Sequence, residues 1–356
     1  VHTRDGRKLL DFYGGHAVAL LGYRHPRLLA ALGDQARELF FQSNSVPLAV
    51  RARAAERLVH FGPAGLTRAF LVNSGAEANE NALKMAFSIT RRPQVVAIEH
   101  GFHGRTAAAG ALTWGAKSKW YGFPRTPFEV DFIGRRDHTA IARQIGDHTA
   151  AVMVEPVQGV GCGAFDLGAP FLQALRERCD QVGALLICDE VQCGMGRAGA
   201  PFASGLYGIQ PDMITTAKAL GSGFPCAALL MSPRVSAALK LDALGTTFGG
   251  GPMACAVIEA VIEAIESEHL LERVRSMSAL IQNLCIVGPV SGHQGAGLLL
   301  GLKTTRPAKQ IHAALLERNI LAGTSADPNI LRLLPPFVLE AAHVELLRYA
   351  LLDIGA

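Results

Sequence analysis

Short apolar runs, each ended by glycine or a polar turn and followed by a helical pattern, recur between Thr67 and about Thr247. TRAFLVNS, QVVAIEH, AAVMVEPV, ALLICDEV, PDMITTAK and AALLMS read as buried strands. AEANENALKMAFSI and PFLQALRERCDQVG read as helices between them. Strands alternating with helices predict an α/β fold whose large domain is a mostly parallel sheet flanked by helices. From about Pro252 the pattern changes to one long helix, PMACAVIEAVIEAIESEHLLERVRSMSALIQNL. The apolar run AGLLLGLKT, another amphipathic helix, a short ILRLLPP run and a terminal helix follow, as in a smaller α+β domain. The opening residues, with a strand-like KLLDFYGG and a helix from Pro26, would most simply pack there. The expected organisation is a large domain over 43–251 and a small domain assembled from 1–42 and 252–356.

Composition narrows the class. A chain of 356 residues, 49% hydrophobic and 18% charged, can bury a sizeable core. Its net charge of +4 is small for this length, and its basic residues cluster only in pairs such as Arg91-Arg92 and Arg135-Arg136, which gives no case for nucleic acid. The seven cysteines are odd in number and scattered through apolar patterns, as suits a reducing compartment, with cytoplasm the default. Apolar stretches break before the roughly 20 residues of a membrane span, and no signal-peptide pattern opens the chain. The start, VHTRDGRKLLDFYGG, lacks an initiator methionine and predicts further residues upstream.

Candidate chemistry begins at LLICDEVQCGMGR, where Asp189 and Glu190 end an apolar strand. At least one should lie at the carboxyl edge of the sheet, where open α/β sheets bind ligands, although an isolated Asp-Glu serves more often as a helix cap or ion-pair partner. In FLVNSGAEANENALKMA a strand runs through Asn73-Ser74-Gly75-Ala76 into a helix, whose free N–H groups form an anion site or an ordinary serine cap. In DMITTAKALGSGFP, Lys218 follows a strand and precedes a glycine-rich loop, where desolvation would free its amine for Schiff-base chemistry unless it snorkels to the surface. HGFHGRT sets Phe102 and Arg105 in a turn, an aromatic face beside a guanidinium. An amine nucleophile, an anion cradle, an aromatic plate and a carboxylate at one sheet edge form the set that pyridoxal phosphate needs.

These motifs, with VMVEPVQG and GTTFGGGPMACA in the same order, resemble the class III, fold-type-I pyridoxal-phosphate aminotransferases, and among them the acetylornithine and ornithine branch. The likeness runs from LLDFYGGHAVALLGYRHP to LRLLPP. It implies that Lys218 holds the cofactor's aldehyde and then moves the proton between substrate and cofactor. It implies that Asp189 pairs with the ring nitrogen, that Val191 and Phe102 cover the two ring faces, and that Gln192 bonds the phenolic oxygen. Backbone at Ser74, Gly75 and Ala76 would take the phosphate, and Thr247 would reach the phosphate of a neighbouring subunit, so the resemblance implies a homodimer with shared sites. Arg332 would bind the α-carboxylate and Arg105 a distal one, as fits 2-oxoglutarate and glutamate. Relatives of this kind serve arginine synthesis, lysine synthesis and ornithine breakdown.

Three positions depart from the pattern. Val160 stands where ornithine and acetylornithine enzymes carry the glutamate that masks the α-carboxylate arginine, which opens the donor side to α-amino acids. His16, in GGHAV, stands where relatives hold an apolar residue or tyrosine near the substrate, and Gly251 replaces a usual asparagine. The expected activity is therefore transfer of an amino group from N-acetylornithine or a similar basic or acylated amino acid to 2-oxoglutarate. Aminomutases, racemases and decarboxylases of the same fold are the alternatives, and two arginines suited to a dicarboxylate favour transamination. A nicotinamide reading of GMGRAG is weaker, because Asp189 to Cys193 separate those glycines from the strand. His100 and His103 share a turn with no further ligands, so no metal is expected.

Overall fold

In the computed structural model, which describes residues 1–355, eleven of fifteen strands build two principal sheets and the other four form two short pairs. They are β1 (Leu10–Asp11), β2 (Arg68–Val72), β3 (Gln94–Ile98), β4 (Glu129–Ile133), β5 (Thr149–Val154), β6 (Val157–Gln158), β7 (Phe165–Asp166) and β8 (Leu185–Asp189). The remainder are β9 (Met213–Thr216), β10 (Ala227–Met231), β11 (Val290–Ala296), β12 (Leu299–Thr304), β13 (Ile320–Leu321), β14 (Gly323–Thr324) and β15 (Ile330–Leu333). The seven-stranded sheet runs β2-β10-β9-β8-β5-β3-β4, and only β10 is antiparallel to its neighbours. Every residue of β3, β5, β8, β9 and β10 is buried, which explains why these strands read as unbroken apolar runs: helices cover both faces. The edge strand β4, EVDFI, alternates exposed and less exposed positions and carries two acids, so it lacked the apolar signature of the others.

The second sheet, β11-β12-β15-β14, is antiparallel. Strand β1 pairs in parallel with β13, which sets the amino-terminal segment beside the carboxy-terminal one. The expected single helix from Pro252 is two helices, Pro252–Ser267 and Leu270–Leu284. His269 adopts a left-handed φ of 53° between them. The first packs against helices Pro26–Glu38 and Ala49–Phe61, and the second turns away onto the terminal helix Ala341–Ile354. The polar run Glu266-Ser267-Glu268-His269 spans the bend but contains neither glycine nor proline, so no breaker residue marks it. Among the described residues, no helix is long and apolar enough to cross a membrane.

Arg197, fully buried, links the loop after β8 to the second sheet. Its Nη1 donates to the Leu298 carbonyl at 3.2 Å and the Pro335 carbonyl at 2.5 Å, and its guanidinium lies 4.7 Å over Phe337. Burial without a carboxylate pushes its pKa down to about 9. Arg197→Ala would leave both carbonyls unpaired around a cavity. The expected loss is on the order of 3 kcal/mol of unfolding free energy, read by chemical denaturation.

Candidate active site

The parallel strands bring their carboxyl ends to one edge, where a cavity of ≈ 410 Å³ opens. Its walls include Ser74, Gly75, Ala76, Phe102, Arg105, Asp189, Val191 and Lys218, so one edge gathers most of the residues singled out in the sequence. A larger open groove of ≈ 1120 Å³ runs alongside and shares Ser74 and Thr106, but it contains neither the lysine nor the aspartate. The smaller cavity holds the chemistry.

Asp189 is the last residue of β8 and is 2% exposed. Its Oδ2 accepts from Asn79 Nδ2 at 2.8 Å and meets His103 Nδ1 at 2.7 Å, while its Oδ1 accepts from the Val191 N–H at 3.1 Å. Asn79 is oriented in turn by donating to the His103 carbonyl and accepting from the Thr215 hydroxyl at 2.6 Å. Burial opposes a charge on His103, but its bond to Asp189 and that carboxylate's field, with Glu155 behind, outweigh burial and raise its pKa. Glu190 has a different task. Its buried carboxylate accepts from the N–H groups of Ala203 and Ser204, capping the short helix Ala203–Leu206, and burial pushes its pKa up to about 7. The helix-cap reading thus fits Glu190, whereas Asp189 faces the cavity.

Lys218 follows β9 in a tight turn with φ of 41°, a left-handed conformation that non-glycine residues adopt at a cost in local strain. Burial pushes its ammonium below the ordinary lysine value, and Asp189 and Glu155 pull it partly back. The helix Gly75–Thr90 starts at the cavity with Ser74 as cap, its hydroxyl accepting from Glu77 N–H at 3.2 Å. A Cβ at Gly75 would lie 2.8 Å from both γ-carbons of Val191, so glycine allows Val191 to close over the helix start. Phe102 is half-buried and held by its N–H to Glu155 at 2.8 Å, with the Arg105 guanidinium 4.9 Å over its ring.

Four expected site residues stand off the cavity wall. Gln192 is buried, with Nε2 on the His16 carbonyl at 3.3 Å and Oε1 unpartnered against Gly159. Arg332, in β15, lies behind Gly159 and donates to its carbonyl at 3.0 Å. His16 is exposed on a turn beside Tyr13, its Nδ1 2.8 Å from that hydroxyl. Thr247 is exposed outside the cavity. The sequence reading missed Asn79 and Glu155, considered His103 only as a metal ligand, and passed over Tyr13. Asn79 sits one helical turn beyond Gly75, a spacing that could have flagged it. Among the described residues, no group of three or more His, Cys, Asp or Glu side chains could hold a metal ion.

This donor set fits pyridoxal phosphate. The amine of Lys218 suits its aldehyde, the N–H groups at the helix start suit its phosphate, and a buried carboxylate bound only by neutral amides and one histidine suits a protonated ring nitrogen. The fold and site define a pyridoxal-phosphate-dependent transaminase. The chain belongs to the class III aminotransferases, whose family model matches residues 1–354. It is 37% identical to the acetylornithine aminotransferase of Methanocaldococcus jannaschii, over 99% of this chain and 90% of that protein. It is also 37% identical to the acetylornithine/succinyldiaminopimelate aminotransferase of Yersinia pestis, over 97% of this chain and 88% of that protein. The crystal structure of N-acetylornithine aminotransferase from Stenotrophomonas maltophilia superposes with a TM-score of 0.85 at 31% identity, covering 99% of this chain and 92% of that one.

The buried pair makes a titration prediction. His103 is expected to hold its proton above the ordinary histidine value of 6.5. Asp189→Asn should drop the pKa below that value, because burial persists while the counter-charge goes. Because the wild-type folded pKa is raised, the pair stabilises the fold fully below the unfolded histidine pKa, and that contribution is lost as pH rises through the folded one. Nitrogen NMR of the His103 ring checks both titrations.

Proposed function

We propose that the chain moves the amino group of N-acetylornithine, or of a similar acylated or basic amino acid, to 2-oxoglutarate by a ping-pong mechanism. The observation that carries this reading is the placement of two arginines about Lys218: Arg105 lines the cavity that holds Lys218 and Asp189, and Arg332 is anchored on the Gly159 carbonyl, against which the buried Gln192 packs. Two guanidiniums near one desolvated amine suit a substrate with two carboxylates, which 2-oxoglutarate and glutamate share. The name of the Yersinia relative covers an acetylated and a succinylated donor, which supports a site tolerant of the acyl group.

In this reading Lys218 is the group that would hold the cofactor's aldehyde, and its free amine would take up the proton lost from the carbon bearing the donor's amino group, carry it as an ammonium and give it back. Its lowered pKa keeps more of the amine in the neutral form that can accept a proton. Bound pyridoxal phosphate supplies an electron-poor ring that delocalises the pair left by the broken C–H bond and carries the amino group between substrates. Asp189, oriented by Asn79 and His103, would hold a proton on the ring nitrogen and so keep the ring electron-poor. Val191 and Phe102 would exclude water from the cofactor ring, and Gln192 would serve its phenolic oxygen. Backbone at Ser74, Gly75 and Ala76 takes the phosphate. Arg332 and Arg105 would orient the substrate by its carboxylates, with His16 beside Tyr13 on the substrate side.

We also infer a homodimer whose sites are shared, with Thr247 serving the partner's phosphate. Thr247 is exposed and precedes Phe248, 66% exposed, which lines one groove with Phe40, 70% exposed, and such apolar patches support a protein partner. All seven cysteines are buried and unpaired, which supports a reducing, cytoplasmic setting.

Two results test the assignment. N-acetylornithine should bleach the absorbance band of the cofactor-loaded enzyme and 2-oxoglutarate should restore it, with Lys218→Ala reducing turnover by roughly several orders of magnitude. Near-normal turnover in that variant would remove Lys218 from the mechanism. Arg332→Ala should raise KM for 2-oxoglutarate by about a hundredfold, the loss of a charge-assisted bidentate pair, and an unchanged KM would take Arg332 out of the site.

A further inference from the structure

Three neutral oxygens surround the Arg332 guanidinium. Nε donates to the Thr324 carbonyl at 2.8 Å, Nη1 to the Gly159 carbonyl at 3.0 Å and Nη2 to the Tyr13 hydroxyl at 2.7 Å. Two of these partners are backbone and cannot leave without unfolding a strand end or a turn. The phenol is a side chain, and rotation can remove it. A guanidinium carries five N–H donors, so the three bonds leave capacity for a carboxylate, but Tyr13 occupies part of the Nη2 end.

Tyr13 is seated there by other residues. Its ring lies against Gly323, the register partner of Arg332 across β14 and β15, where a Cβ would come within 2.0 Å of Tyr13 Cε2. Its hydroxyl lies 2.8 Å from His16 Nδ1, and the two rings meet edge-on with centroids 4.8 Å apart. His16 reaches that position through a left-handed turn, with φ of 55° at Gly14, 57° at Gly15, 65° at His16 and 67° at Ala17. Histidine and alanine are strained in this conformation, so the surrounding structure has to hold the turn in place. The proton count closes if the hydroxyl accepts from Arg332 and donates to Nδ1, with the imidazole proton on Nε2. Burial raises the Tyr13 pKa against the pull of Arg332, and burial followed by the neighbouring positive charges lowers that of His16, so both shifts favour the neutral forms. Val160, one residue after Gly159, contributes no charge.

Building on the reading of Arg332 as a carboxylate site, we propose that Tyr13, steadied by His16, is a neutral cover on Arg332 that the carboxylate of a substrate displaces. Tyr13 is then a specificity-determining residue and His16 a positioning residue acting through it. A phenol gives up one hydrogen bond when it leaves, whereas a carboxylate in its place would leave an uncompensated buried charge. The neutral cover therefore keeps the guanidinium partnered in the free enzyme and yields readily to α-amino and α-keto dicarboxylates.

The test uses glutarate, a dicarboxylate that cannot be transaminated, titrated into the cofactor-loaded enzyme by calorimetry. Tyr13→Phe keeps the ring on Gly323 and removes only the competing hydroxyl. Its Kd for glutarate should fall about three- to tenfold, less than the full strength of a hydrogen bond to a charged group because water partly replaces the phenol. His16→Ala should lower Kd when Tyr13 is present and change nothing in the Tyr13→Phe background, as a residue acting through the hydroxyl requires. An unchanged Kd in Tyr13→Phe overturns the cover, and a higher one shows that the hydroxyl helps bind the carboxylate. Arg332→Ala separates the two readings. Glutarate affinity that ignores this change defeats the carboxylate site itself, whereas affinity that needs Arg332 without improving in Tyr13→Phe defeats only the cover.

Discussion

A carboxylate buried at the end of β8 is the constraint around which the site is built. At 2% exposure the oxygens of Asp189 need hydrogen-bond partners, and the sheet edge supplies them from three separate elements. Asn79 comes from the helix after β2, His103 from the turn after β3, and the Val191 N–H from the loop after β8 itself. Thr215 of β9 then fixes the orientation of Asn79. The bonds from Asn79, His103 and Val191 tie three elements of the cavity to the same two oxygens, so the position of the aspartate and the shape of the cavity are set together.

Local backbone strain places the remaining groups. Lys218 enters the cavity on a left-handed residue, and the turn over Gly14–Ala17 is left-handed throughout. Such conformations persist only where surrounding contacts over-determine them. Around the amino-terminal turn, Asp11 Oδ1 accepts from the N–H groups of Tyr13 and Gly14 at 2.6 Å and 3.0 Å. The pairing of β1 with β13 brings that turn to the second sheet, so a segment at the start of the chain comes to lie against Arg332 near its end. The environment of the arginine is thus assembled from residues more than three hundred positions apart in sequence.

Much of this was legible in the sequence. Burial on both faces makes the central strands continuous apolar runs, and residues at their carboxyl ends inherit a place at the ligand edge from strand direction alone. Asp189, Lys218, Gly75 and Phe102 could be located in that way. The edge strand β4 escaped because one exposed face mixes acids into its pattern, and the bend at His269 escaped because no glycine or proline marks it. His103 looked like an unused metal ligand since its spacing says nothing about Asp189, its partner 86 positions away.

The order of strands and helices, the residues at the strand ends and the chemical set they form follow from local pattern, because periodicity and strand direction are properties of contiguous residues. Which of two adjacent acids faces the cavity and which caps a helix was decided by the tertiary structure. So was the contact of Tyr13 and His16 with Arg332. Both depend on side chains from distant segments competing to satisfy buried charges and donors, and no contiguous stretch of sequence carries that information.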